Sequence, residues 1–144
     1  MSGASEAARG GVTFDTVEPG DELPEITLEL GRDYVKAHAT EIGMAFPRFT
    51  DDEGAKREGL PGQITPGNMS LALLARELLT WAPGGKLRRL GTTFRGLALA
   101  GSTVRLMGTV TEKDEERRTV ECDVWMETAE GDRCVIGTAT LELP

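Results

Sequence analysis

The spacing of apolar residues changes at Pro83-Gly84-Gly85, dividing the chain into a helical part and a stranded part. Ahead of that break, Leu23, Ile26, Leu28 and Leu30 end in near alternation and predict a strand stopped by Gly31. A helical stretch begins at Asp33 and carries Tyr34, Val35, Ala37, His38 and Ile42, with Gly43 as its stop. Phe46-Pro47 then demands extended backbone before the proline. Thr50, followed three residues later by Glu53, predicts a capping box opening a short helix that Gly59 ends, and Pro61-Gly62 marks a loop. From Gly67 to Ala82 only Arg76 and Glu77 are charged, so this helix is apolar nearly all round and is expected to be buried. Asn68 or Ser70 is its expected cap.

After the break the period is two. Strands are predicted over Leu87–Phe94, Thr103–Val110, Thr119–Met126 and Cys134–Leu143. Val104, Leu106 and Val110 share one face; so do Val120, Cys122, Val124 and Met126, and then Val135, Ala139, Leu141 and Leu143. A tight turn at Glu130-Gly131 sets Cys122 opposite roughly residue 139, which leaves Cys134 out of reach and both cysteines reduced. One long buried helix followed by antiparallel strands is an α+β pattern, best met by a curved antiparallel sheet wrapped around a central helix in a single domain over residues 13–144. Residues 1–12, small and aperiodic, read as a flexible tail.

Composition narrows the function. With 144 residues the core needs no metal or disulfide support, and a net charge of −8 disfavours a nucleic-acid partner. No apolar run is long enough for a membrane span, and the start has no secretory h-region, so a cytoplasmic protein is expected. One histidine and two cysteines without ligand spacing suggest no metal, and no cofactor is expected.

The stretch FPRFTDDEGAKREGLPGQITPGN, Phe46 to Asn68, resembles the MaoC-like hydratases and dehydratases, whose pattern runs D-x-N-P-x-H-x-D, an alanine, a glycine and then I-x-H-G. Pro47, Asp51, Ala55, Gly59, Ile64 and Gly67 fall at matching positions, and Ala100-Gly101-Ser102 stands where the family has a Pro-Gly-Asp-like turn. The resemblance implies a hot-dog fold that works as a homodimer or heterodimer on acyl thioesters of coenzyme A or acyl carrier protein, adding water to a 2-enoyl group or removing it. In such chemistry an Asp and a His move the protons, and a backbone N–H at the start of the central helix polarises the carbonyl. Here Met44 stands at the Asp position, Phe49 at the His position and Pro66 at the histidine before the glycine; a family polar position on the central helix is Ala75. Neither Met44 nor Phe49 can accept or donate a proton.

What remains is a set of candidates. Gly67 and Asn68 are expected to act at the thioester carbonyl from the positive end of the helix, although a glycine needed for packing and an ordinary N-cap read equally from the letters. His38 and Glu41, three residues apart on one helical face, stand as a replacement acid–base pair or as a plain surface pair. Asp51 matches a family position, yet as an acid in a first helical turn it serves the dipole. Met44, Phe46, Phe49 and Pro66 suggest an apolar acyl pocket, and the first three read equally as a loop anchored into the core by its aromatic rings. Arg88, Arg89 and Arg95, with Lys86 and Arg105, offer a basic patch for coenzyme A phosphates or a carrier surface, or a solvated sheet face. Two function classes follow: an enzyme, with substitute acid–base groups or with altered chemistry on a carrier-bound acyl or polyketide chain, or a non-catalytic subunit partnering a dyad-bearing homologue.

Overall fold

The computed structural model describes residues 12–144, so apart from Val12 the expected tail lies outside the described residues. In chain order the elements are β1 (Ile26–Glu29), α1 (Arg32–Glu41), α2 (Pro47–Thr50), α3 (Asp52–Arg57), α4 (Gly67–Trp81), β2 (Lys86–Phe94), β3 (Thr103–Asp114), β4 (Thr119–Thr128) and β5 (Arg133–Glu142). The five strands form one antiparallel sheet in the order β1-β3-β4-β5-β2, and α4 packs on its inner face against β2, β3 and β4. This is the hot-dog arrangement expected from the sequence.

The period-two pattern explains the sheet. Val104, Leu106 and Val110 of β3, Val120, Cys122, Val124 and Met126 of β4, and Val135, Ala139 and Leu141 of β5 are all buried on the face that meets α4. The register sets Cys122 opposite Ala139, as the turn at Glu130-Gly131 requires, and both cysteines are free and buried. The first strand is shorter than its apolar run. Leu23 still bonds through its N–H to the Gly108 carbonyl, but Pro24 has no N–H to continue the ladder, and regular pairing starts at Ile26.

Helix starts differ from the sequence reading in two places. Thr50 does not cap a helix: it closes α2, where its hydroxyl donates to the Phe46 carbonyl at 3.2 Å. Asp51 caps α3 instead, its Oδ2 accepting from the Gly54 N–H at 2.8 Å. Pro47 nucleates the extra turn that shifts the cap by one residue. Neither Asn68 nor Ser70 caps α4; Pro66 is the N-cap and supplies no side-chain bond. The approach to that helix is fixed from outside it. Thr65 donates to the Ala98 carbonyl at 2.8 Å, Ala100 to that of Gln63 at 2.9 Å, and Ile64 bridges Leu99.

The central helix is also less enclosed than expected. Met69, Ser70, Leu73, Leu74, Glu77 and Leu78 are buried, but Leu79 is 40% exposed and Leu71 and Ala75 are half-buried on the same stripe. A single sheet covers only one side of a helix, so the apolar outer stripe has no partner among the described residues.

Candidate functional site

The tip of α4 gathers the residues that the sequence singled out around Gly67. Within the short segment after α1, the Met44 N–H bonds to the Ala39 carbonyl at 2.7 Å and turns the chain back towards α4. That turn sets the Met44 thioether against the helix start, where Asn68 Nδ2 donates to its sulfur at 3.5 Å. Asn68 is therefore occupied with Met44 rather than with its own backbone. Gly67 occupies the first helical position, where an N–H has no intrahelical acceptor. A side chain there is impossible without movement, because a Cβ would lie 2.8 Å from Cζ of Phe94 at the end of β2.

Phe49 on α2 and Phe46 just before it differ in exposure. Phe49 is buried, Phe46 is 50% exposed, and their ring centroids lie 6.3 Å apart with the Arg48 guanidinium beside both. Pro66 is buried as the turn into the helix. Gln63 holds the segment in place: its buried side-chain nitrogen donates to the carbonyls of Phe49 at 2.7 Å and Arg32 at 3.1 Å. Asp52 takes the Gln63 N–H at 2.8 Å and the Arg32 Nε at 3.1 Å, and these donors hold its carboxyl below the usual range. Asp51 is committed to its cap and lies 3.8 Å from Arg57.

The remaining candidates are dispersed. His38 is half-buried on α1, with Nε2 buried and without a partner. Glu41 is exposed and lines a shallow outer groove with Asp33, Lys36 and Thr40; no hydrogen bond or ion pair joins it to His38 among the described residues. Arg88 is engaged by Glu142 through two nitrogens, and Arg89 bonds Thr138 at 3.1 Å and Glu121 at 3.5 Å. Both lie six or so strand residues from Phe94, about 20 Å away. Arg95 alone of the three directly follows Phe94, and its N–H donates to the Cys134 carbonyl at 2.8 Å. Arg105 pairs with Glu127 near the start of β3. The basic residues thus do not form one patch, and carboxylates on neighbouring strands already pair with Arg88, Arg89 and Arg105.

Three features escaped the sequence reading. The Thr65 hydroxyl, two residues before Gly67, is buried with no hydrogen-bond partner among the described residues. Phe94 covers Gly67 by a contact between elements that no local pattern reveals. Glu77, noted only as one of two charges on α4, is 1% exposed, and neither carboxylate oxygen has a partner among the described residues. Burial pushes its carboxyl up to about 8 from 4.5. Its position four residues after Leu73 and three after Leu74 places it on the inner face, which helical spacing does reveal.

Among the described residues, no cluster of histidine, cysteine or carboxylate side chains is placed to hold a metal ion, and no helix is long and apolar enough to cross a membrane. No family model and no curated protein matches the sequence. Solved structures do match. R-hydratase PhaJ1 from Pseudomonas aeruginosa is 20% identical with a TM-score of 0.86, over 93% of this chain and 86% of that one. A chain of the ChsH1–ChsH2 complex from Mycobacterium tuberculosis is 22% identical with a TM-score of 0.81, over 90% of this chain and 99% of that one. A MaoC-like dehydratase is 27% identical with a TM-score of 0.86, over 94% of this chain but only 43% of that longer one. The chain has the hot-dog fold of MaoC-like dehydratases and (R)-hydratases, as the resemblance in its sequence implies.

Proposed function

From that shared fold, we propose that this chain binds an acyl thioester of coenzyme A or acyl carrier protein at the tip of α4, as a hot-dog subunit whose acid–base groups come from a second subunit. One observation carries the reading: Asn68 Nδ2 at the tip meets the Met44 thioether at 3.5 Å. Hydration of a 2-enoyl thioester forms a bond from water oxygen to the β carbon, delivers a proton to the α carbon, and requires a base for the water proton. Methionine offers none, and neither does Phe49. Polarisation of the carbonyl is still available from the Gly67 N–H, at the positive end of a 15-residue helix.

Pairing is expected along β2. Of the two sheet edges β2 is the longer, nine residues against four for β1, and exposed Phe94 and Leu97 lie at and beyond its end. The ChsH1–ChsH2 structure is a complex of two different chains, which supports a subunit role for this one. The isolated protein should bind a non-reactive acyl-CoA analogue yet hydrate crotonyl-CoA negligibly, and activity should appear when a dyad-bearing hot-dog subunit of the same host is added. Rapid crotonyl-CoA turnover by the isolated chain would overturn this.

A second reading, an enzyme with substitute groups, is favoured by the buried and unpartnered His38 Nε2. It requires turnover by the isolated chain that His38→Ala or Glu41→Gln abolishes.

A further inference from the structure

A cleft of about 490 Å³ runs between β1 and α4. Leu73, Arg76, Glu77 and Thr80 form its helical wall and share one face of α4, although the oxygens of Glu77 are sealed from it. All the residues of β1, Ile26–Glu29, line the opposite wall. Successive side chains of a strand point to opposite faces, so a cleft that meets every residue in turn runs along the edge of the strand.

That edge is open. β1 is the outermost strand and pairs on one side only, with β3. The Leu30 N–H donates to the Ser102 carbonyl at 2.8 Å, and the Leu30 carbonyl accepts from Gly101. Alternation along the ladder then turns the backbone groups of Leu28 and Ile26 towards β3. Those of Thr27 and Glu29 face the cleft, where no backbone group among the described residues bonds them. Ile26 and Leu28 are only half-buried beside them. Free main-chain donors and acceptors, a half-covered apolar strip and a facing helix are what an added strand completes.

Charge selects the kind of strand. From Glu22 to Glu29 the chain carries three acids and no base. Glu29 and, across the cleft, half-buried Arg76 form no ion pair among the described residues. A second copy on this edge would set the same acids against one another, on chains that each carry −8. A strand with bases beside Glu29 and a carboxylate for Arg76 complements both walls.

We propose that the β1 edge docks an extended segment of another protein, which joins the sheet as a sixth strand. Its basic residues lie on the outer face, its apolar residues cover Ile26 and Leu28, and an acidic residue meets Arg76. Main-chain bonds to Thr27 and Glu29 supply affinity, and the alternating side chains supply specificity. The inference does not depend on thioester binding at the α4 tip.

The test titrates a fluorescently labelled peptide, Lys-Ile-Thr-Val-Lys-Glu with blocked ends, into the full chain and follows amide exchange. Saturable binding that slows exchange at Thr27 and Glu29 is expected. Thr27→Pro removes an N–H that faces the cleft and spares the β3 ladder, so it should keep the fold and weaken binding about tenfold. Glu29→Lys should weaken binding through charge, and a fully N-methylated peptide should not bind. An absence of saturable binding, or equal affinity for wild type and Thr27→Pro, or for the plain and N-methylated peptides, would overturn the proposal. So would a fall in the assembly's mass on Thr27→Pro substitution, read by light scattering, because a second copy would then hold this edge.

Discussion

Replacing Glu77 by leucine should stabilise the protein, and by an amount that grows with pH. In the folded chain the carboxyl stays protonated up to about 8, whereas the unfolded chain ionises it near 4.5. Between those values the folded state holds one more proton than the unfolded state. Stability is therefore full below pH 4.5, falls as pH rises, and levels off above 8. Each unit is worth about 1.4 kcal/mol, so the wild type should lose roughly 3 kcal/mol between pH 5.5 and 7.5. Glu77→Leu has no such term, and it removes two buried oxygens with no partner.

Urea denaturation of both proteins at pH 5.5, 6.5, 7.5 and 8.5 measures the gap directly. The window excludes the other shifted groups. Asp52 and Glu142 are both lowered, by backbone or side-chain donors and by neighbouring cations, so their stabilisation is present above 3.8 and 4.5 and is lost only in more acidic solution. Burial raises Cys122 from 9.0 to about 12, and its effect starts only above 9. A gap that stays constant across pH 5.5–8.5 would show that Glu77 ionises normally in the folded chain, and that the orphaned carboxyl is hydrated or paired.

Other predictions address the tip and the assembly. Gly67→Ala should cost about 1–3 kcal/mol through the Phe94 ring, and in a Phe94→Ala background most of that cost should vanish; additive losses in a double-mutant cycle would refute the contact as its cause. Gln63→Leu strands the carbonyls of Phe49 and Arg32, so it should cost about 2–3 kcal/mol and accelerate amide exchange over residues 47–60; unchanged exchange there would refute that role. Light scattering should report at least a dimer, and Leu79→Arg on the open helix stripe should weaken it, whereas a stable monomer at working concentration would count against pairing along β2.

The fold was legible because its main signals are periodic. Alternation in β3, β4 and β5 marks the buried face residue by residue, and one turn assignment is enough to pair Cys122 with Ala139. Boundaries were less so: Pro24 interrupts a ladder that apolar spacing alone extends to Leu23, and Pro47 inserts a helical turn that moves the cap from Thr50 to Asp51. The site divides in the same way. Residues near one another in sequence or matched to a motif, such as Gly67 and Asn68, do meet at one point with Met44. Those whose partners lie on distant strands do not follow from local pattern. Arg88 and Arg89 read as a free basic patch until β4 and β5 bring Glu121, Thr138 and Glu142 beside them. Glu77 is the instructive case, since its identity and its helical phase were both visible. A charge on an apolar helix is ordinarily assigned to the open face, yet 77 shares its face with Leu73 and Leu74, and phase, not residue type, decides which way it points. A buried carboxyl on that face is a local contradiction in an otherwise consistent helix, and such contradictions are where function is to be sought.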